Sequence, residues 1–105
     1  MAELRQHRRY RVELPATLAG DYAGLGIVYN LGAGGCNVVS DLAVKKGSLL
    51  SIQLKVSPQA TAIVIQSAVV RWTMEMEIGL EFLEVQQTER ARLEQFLATQ
   101  MHLAT

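Results

Sequence analysis

The sequence predicts an all-β domain, a small antiparallel barrel or sandwich of about six short strands with one helix at the C-terminal end. Three observations carry this. Apolar and polar residues alternate with period two through the first 84 residues, and the period then changes to that of a helix. No strand–helix alternation is present, so a parallel, doubly wound sheet is excluded. With 105 residues, half of them hydrophobic, the chain has room for one core and one domain.

The elements follow in order. Val12, Leu14, Ala16 and Leu18 alternate with Glu13, Pro15 and Thr17 as the first strand. Pro15 cannot donate to a ladder, so this strand is expected at an edge or bulged there. After a turn over Gly20 to Gly24, Leu25 to Tyr29 form a second strand. The glycine-rich corner Asn30-Leu31-Gly32-Ala33-Gly34-Gly35 leads into a third, Cys36 to Ser40. Asp41 to Gly47 read as a loop. Leu50, Ile52, Leu54 and Val56 then alternate with Ser51, Gln53 and Lys55, and Pro58 marks the next turn. Thr61 to Trp72, β-branched and apolar on both faces in places, read as a central strand. Met76, Ile78, Leu80 and Phe82 alternate with Glu75, Glu77, Gly79 and Glu81 as the last strand. Leu93, Phe96, Leu97 and Met101 form one helical stripe, with Thr88 as the expected N-cap and Glu89 at the positive end of the dipole. Phe82 and Phe96 fall inward by phase.

Charge narrows the function. Ten Lys and Arg balance ten Asp and Glu, which argues against a general polyanion binder. A barrel that grips single-stranded DNA or RNA needs stacking aromatics on a basic groove, and this chain has only six Phe, Trp and Tyr residues. No apolar run approaches the roughly 20 residues of a membrane helix. No secretory leader is evident, and a single cysteine excludes an internal disulfide, so a cytoplasmic protein is expected.

Catalysis is poorly supported. His7 and His102 lie near opposite ends, neither at metal-ligand spacing, and read as surface residues. Cys36, in a strand, reads as a small buried hydrophobe. Glu75, Glu77 and Glu81 share a strand face and read as solvated. There is no phosphate-loop lysine and no dinucleotide fingerprint. The chain is expected to be a binding protein, with no metal and no cofactor.

Two segments suit binding. Residues 1–12 carry Arg5, Arg8, Arg9 and Arg11 against Glu3 alone, a local surplus of three positive charges. Spacing of four puts Arg5 and Arg9 on one side, whether the segment is extended or helical. Their planar forks match phosphate and the O6/N7 edge of guanine. The corner Asn30 to Gly35 exposes backbone N–H groups, permits positive φ, and carries the Asn30 amide at its start.

Taken together, Arg5-x-x-x-Arg9 and Asn30-x-Gly32-x-x-Gly35 resemble the PilZ domain, whose signature is RxxxR followed some twenty or more residues later by (D/N)xSxxG. The likeness continues through Val69-Val70-Arg71-Trp72, through Ile78-Gly79-Leu80-Glu81-Phe82, and into the terminal helix. It implies a six-stranded antiparallel β-barrel of split-barrel type with a C-terminal helix. The single domain then spans 1–105: a flexible basic arm at 1–11, the barrel at 12–84 and the helix at 87–103. The resemblance implies binding of cyclic di-GMP, with Arg5 and Arg9 on phosphates and guanine edges, and Asn30 on a guanine edge. Gly32, Gly34 and Gly35 would complete the site, and Arg8, Arg71 and Trp72 are secondary candidates, with core packing an equal expectation for Trp72. The motif serine is Gly32 here, and one lost neutral hydrogen bond lowers the expected affinity by about 0.5–1.5 kcal/mol. The expected role is a stand-alone receptor whose arm orders over the barrel and signals to an unidentified downstream protein. The alternative is a ligand-independent PilZ-type adaptor. The helix stripe leaves a homo-oligomeric contact open.

Overall fold

A computed structural model describes residues 8–104, with side chains through Met101. Six strands, β1 (Arg9–Gly20), β2 (Gly24–Gly32), β3 (Gly35–Val39), β4 (Leu49–Leu54), β5 (Ile63–Met74) and β6 (Glu77–Glu84), precede one helix, α1 (Gln87–Ala104). The strands close in the order β1-β2-β3-β6-β5-β4, each antiparallel to its neighbours. The architecture is therefore the barrel rather than the sandwich.

Period-two alternation is what fills it. Every second side chain points inward, so Leu14, Ala16 and Leu18 of β1 meet Val28 and Leu31 of β2, Cys36 and Val38 of β3, and their counterparts from β4, β5 and β6. Cys36 is fully buried in this core, as its strand position predicts. Burial pushes its thiol up to about 12, against a smaller opposing effect of the Arg9 charge. Phe82 is buried, and Phe96 packs half-buried at the edge of the core.

Closure removes any edge for Pro15. The strand is instead irregular just before it, where the β1–β2 register shifts between Arg11 and Leu14. Pro15 lies one residue ahead of the β4 pairing, which starts at Ala16 opposite Leu54, and its carbonyl accepts from Lys55 N at 2.9 Å. Thr61 to Trp72 likewise has no central place in a closed sheet. Its observed strand, β5, lies between β4 and β6 and carries two register shifts of its own.

α1 plugs one end of the barrel with Leu93 and Leu97, both in the core. Thr88 does not cap it. The helix starts at Gln87, and Arg90 N bonds the carbonyl of Gln86 at 2.8 Å, so Thr88 lies inside the first turn. Glu89 faces the sheet, accepting from Val64 N at 2.8 Å, while Arg92 donates to the carbonyls of Thr61 and Ala62 and to Glu89. These bonds tie the helix to the chain entering β5.

Candidate functional site

The corner between β2 and β3 is a hairpin whose ladder sets Leu31 opposite Cys36 and Asn30 opposite Asn37. Leu31 and Cys36 point inward, so both asparagines point out. On the other side β2 pairs with β1, with Arg9 opposite Gly32 and Arg11 opposite Asn30. Arg9, Tyr10 and Arg11, which the sequence assigns to the arm, are thus the opening residues of the barrel wall. Arg5 and His7 lie outside the described residues, as does the expected ordering of the arm. His102 has no described side chain.

Arg9 joins the two motifs. Its Nη1 donates to Asn30 Oδ1 at 3.0 Å and to Asn37 Oδ1 at 3.4 Å. Its side chain lies along the corner. A Cβ built on Gly32 would fall 2.9 Å from Arg9 Cδ and 2.7 Å from the Arg8 carbonyl. One built on Gly35 would fall 2.9 Å from Arg9 Nη2 and 2.5 Å from the Leu80 carbonyl. Neither glycine adopts positive φ. The reason for glycine at both is close approach, not backbone conformation, which corrects the expectation from the sequence. The Gly34 carbonyl accepts from Phe82 N at 2.9 Å, tying the corner to β6.

The face continues across β6 and β5. Gly35 lies opposite Glu81, and Asn37 opposite Gly79, which in turn faces Trp72. The register shift between Val70 and Trp72 leaves Arg71 and Trp72 both on the outside. Arg71 donates through Nε to Glu81 in an exposed ion pair. Trp72 is 39% exposed, not packed in the core. Its indole lies on the backbone of Gly79, where a Cβ would fall 2.1 Å from Nε1. Arg8 is exposed and stands over the Tyr10 ring at 5.4 Å, beside a cleft of about 310 Å³ that also reaches Ala33, Leu97 and Met101. Arg8 and Tyr10 therefore lie between the corner and the helix.

Sequence reasoning missed Asn37, Tyr29 and Gly79. Asn37 was within reach, because a hairpin centred on Ala33 and Gly34 sets it opposite Asn30. Tyr29 was not: a register shift between Val28 and Asn30 brings its hydroxyl to Glu77, to which it donates. Burial first, then the hydrogen bond and charge of Glu77, raise the Tyr29 hydroxyl to about 12, while Asn37 acts in the opposite sense.

The result is a floor with no side chains of its own at Gly32, Gly35 and Gly79, covered by the Arg9 side chain and the Trp72 indole. Around it stand guanidinium forks (Arg9, Arg71), amides (Asn30, Asn37) and an indole (Trp72). Such a face suits a planar, hydrogen-bonding, anionic ligand. Among the described residues no three His, Cys, Asp and Glu side chains lie together as metal ligands, and no helix is long and apolar enough to cross a membrane.

A family model described as PilZ domain matches residues 3–99. No curated protein matches the chain significantly. Among solved structures, the Bacillus subtilis inhibitor of motility (MotI/DgrA) superposes with a TM-score of 0.77 at 23% identity, over 96% of this chain and 53% of its own. The PilZ domain of YcgR from Escherichia coli, solved with c-di-GMP, gives 0.77 at 13% identity, over 97% and 95%. The K. pneumonia MrkH–c-di-GMP complex gives 0.74 at 16% identity, over 98% and 55%. This chain thus spans about half the length of the first and the third. At these identities the likeness is one of fold.

Proposed function

Because this chain belongs to the PilZ domain family, whose model covers residues 3–99, we propose that it binds cyclic di-GMP on the outer barrel face built around Arg9 and Asn30. One observation carries the reading: Arg9 of the first motif lies hydrogen-bonded to Asn30 and packed on Gly32 and Gly35 of the second. Two structural neighbours that share the fold were solved with this nucleotide.

Each group has work that its chemistry permits. The Arg9 fork pairs with phosphate oxygens or with the O6/N7 edge of guanine, and the motif assigns Arg5 the same partners. The Asn30 amide offers donor and acceptor to a base edge, and the glycine floor, once Arg9 moves off it, lets a flat base approach the backbone. Arg71 and Trp72 border the same floor, where an indole can stack on a purine. Where the ligand takes over Arg9 Nη1, the nucleotide replaces an internal hydrogen bond and draws the arm across the face. The surface offered to a downstream protein changes with it, and no catalytic step is involved. The protein would act in the cytoplasm, where such a messenger is free to reach it.

Calorimetric titration with cyclic di-GMP tests this. Arg9→Ala is expected to weaken binding by about 1.5–3 kcal/mol, the scale of a charged hydrogen bond.

The adaptor reading has one observation in its favour. Gly32 replaces the motif serine, and Arg9 fills the space above it, so the face is occupied by the protein itself. That reading expects no nucleotide heat, and partner capture that survives Arg9→Ala.

A further inference from the structure

Next to the motif face, the same strands carry a second row of outward positions, apolar at three of its four places. Ile27 lies opposite Val39, Val39 opposite Glu77, and Glu77 opposite Met74, so the row crosses β2, β3, β6 and β5. Ile27 is 41% exposed, Val39 39% and Met74 65%, with Leu25, two residues before Ile27, at 71%. Single exposed hydrophobics are ordinary, but neighbouring ones such as Leu25, Ile27 and Val39 mark a contact surface. α1 does not cover it, since the helix packs on β1 and β5 and is tied at Thr61, Ala62 and Val64.

Shape and charge say what fits. Beside the row, Leu25, Ile27 and Pro15 form one wall of a groove of about 600 Å³, whose other side holds Lys55, Pro58, Ala60 and Ala62. A groove next to such a row takes a convex occupant, such as one face of a helix, better than another flat sheet. The opposite border is acidic. Glu75 and Glu77 are exposed on the β5–β6 hairpin, and Asp41 follows Ser40, whose N–H bonds the Met76 carbonyl at 2.9 Å. Met74 and Met76 on that hairpin give the unbranched, polarizable surface that adapts to an incoming helix. An acidic rim also opposes an anionic lipid surface.

We propose that Leu25, Ile27, Val39 and Met74, with Glu77 among them and Glu75 on the adjoining turn, dock a basic amphipathic helix of a partner protein. The apolar side of the helix covers Leu25, Ile27 and Val39, and its Lys or Arg flank meets the carboxylates of Glu75 and Glu77 beside Met74. Nothing in this requires the nucleotide. Glu77 nevertheless touches both surfaces, since it accepts the Tyr29 hydroxyl beside Asn37.

The test uses the full chain and a fluorescent synthetic helix of about five turns, with leucine on one face and lysine on the other. Its leucine/glutamate counterpart is the control. In the ¹⁵N-labelled protein, the lysine peptide is expected to shift the amides of Leu25, Ile27, Val39 and Met74, leaving α1 undisturbed. By anisotropy, Val39→Thr combined with Met74→Gln is expected to weaken it about tenfold or more. Glu75→Lys is expected to weaken it about fivefold at low salt, and Glu94→Lys on α1, an equal change of charge, to have no effect. Equal loss with Glu94→Lys, full binding by the double variant, or preference for the glutamate peptide would overturn the proposal. So would amide shifts confined to α1, or self-association of the protein that the double variant abolishes.

Discussion

Arg9 Nη1 donates to Asn30 Oδ1 at 3.0 Å, across 21 residues of sequence. That one bond closes the first motif onto the second before any ligand is present. It also sets the guanidinium against two glycines with no room to spare.

Gly32→Ser is therefore not a repair. Restoring the family's serine places a Cβ 2.7 Å from the Arg8 carbonyl and 2.9 Å from Arg9 Cδ. The variant is expected to lose about 1–3 kcal/mol of stability in urea unfolding, as overpacking does. Unchanged stability would show that Arg9 does not rest on Gly32.

Trp72, the only tryptophan, reports on its own packing. Gly79→Ala puts a methyl group 2.1 Å from the indole Nε1, so the ring must leave the β6 backbone. Its emission should move to the red and stability should fall by about 1–3 kcal/mol. An unshifted spectrum contradicts the stacked geometry.

Tyr29 couples stability to alkaline pH. Its hydroxyl is raised from 10.0 to about 12, so the folded state favours the protonated form. The stabilisation is complete below pH 10 and is lost as pH rises through about 12. Melts of the protein and of Tyr29→Phe should differ by an amount that shrinks across that window. A constant difference would mean that Tyr29 does not titrate there.

Arg92 fastens α1 through the carbonyls of Thr61 and Ala62 and through Glu89, which holds the Val64 amide. Arg92→Ala is expected to cost about 1–2 kcal/mol and to speed hydrogen exchange at Val64. Exchange at Val64 that does not change would remove the helix anchor from the account.

The sheet was legible because inward positions recur at every second residue and the motifs sit at a hairpin and a strand start. Leu31 and Cys36 point into the core, so the asparagines beside them had to point out. Where the period breaks, sequence alone runs out. The register shift before Asn30 turns Tyr29 toward Glu77, and the shift before Trp72 sends Arg71 and Trp72 to the same side. Bulges follow from barrel closure, a property of the whole sheet that no local window contains. The positive φ expected of the corner glycines is absent at Gly32 and Gly35, while the close approach expected of them is present. Their role depends on where Arg9 lies, and Arg9 belongs to a different strand.

Calorimetry of cyclic di-GMP binding to the intact protein and to Arg9→Ala tests the central claim most directly. The account predicts heat of binding in the first and a loss of about tenfold to a hundredfold in affinity in the second. No heat at tens of micromolar nucleotide, or equal affinity in both proteins, would contradict it.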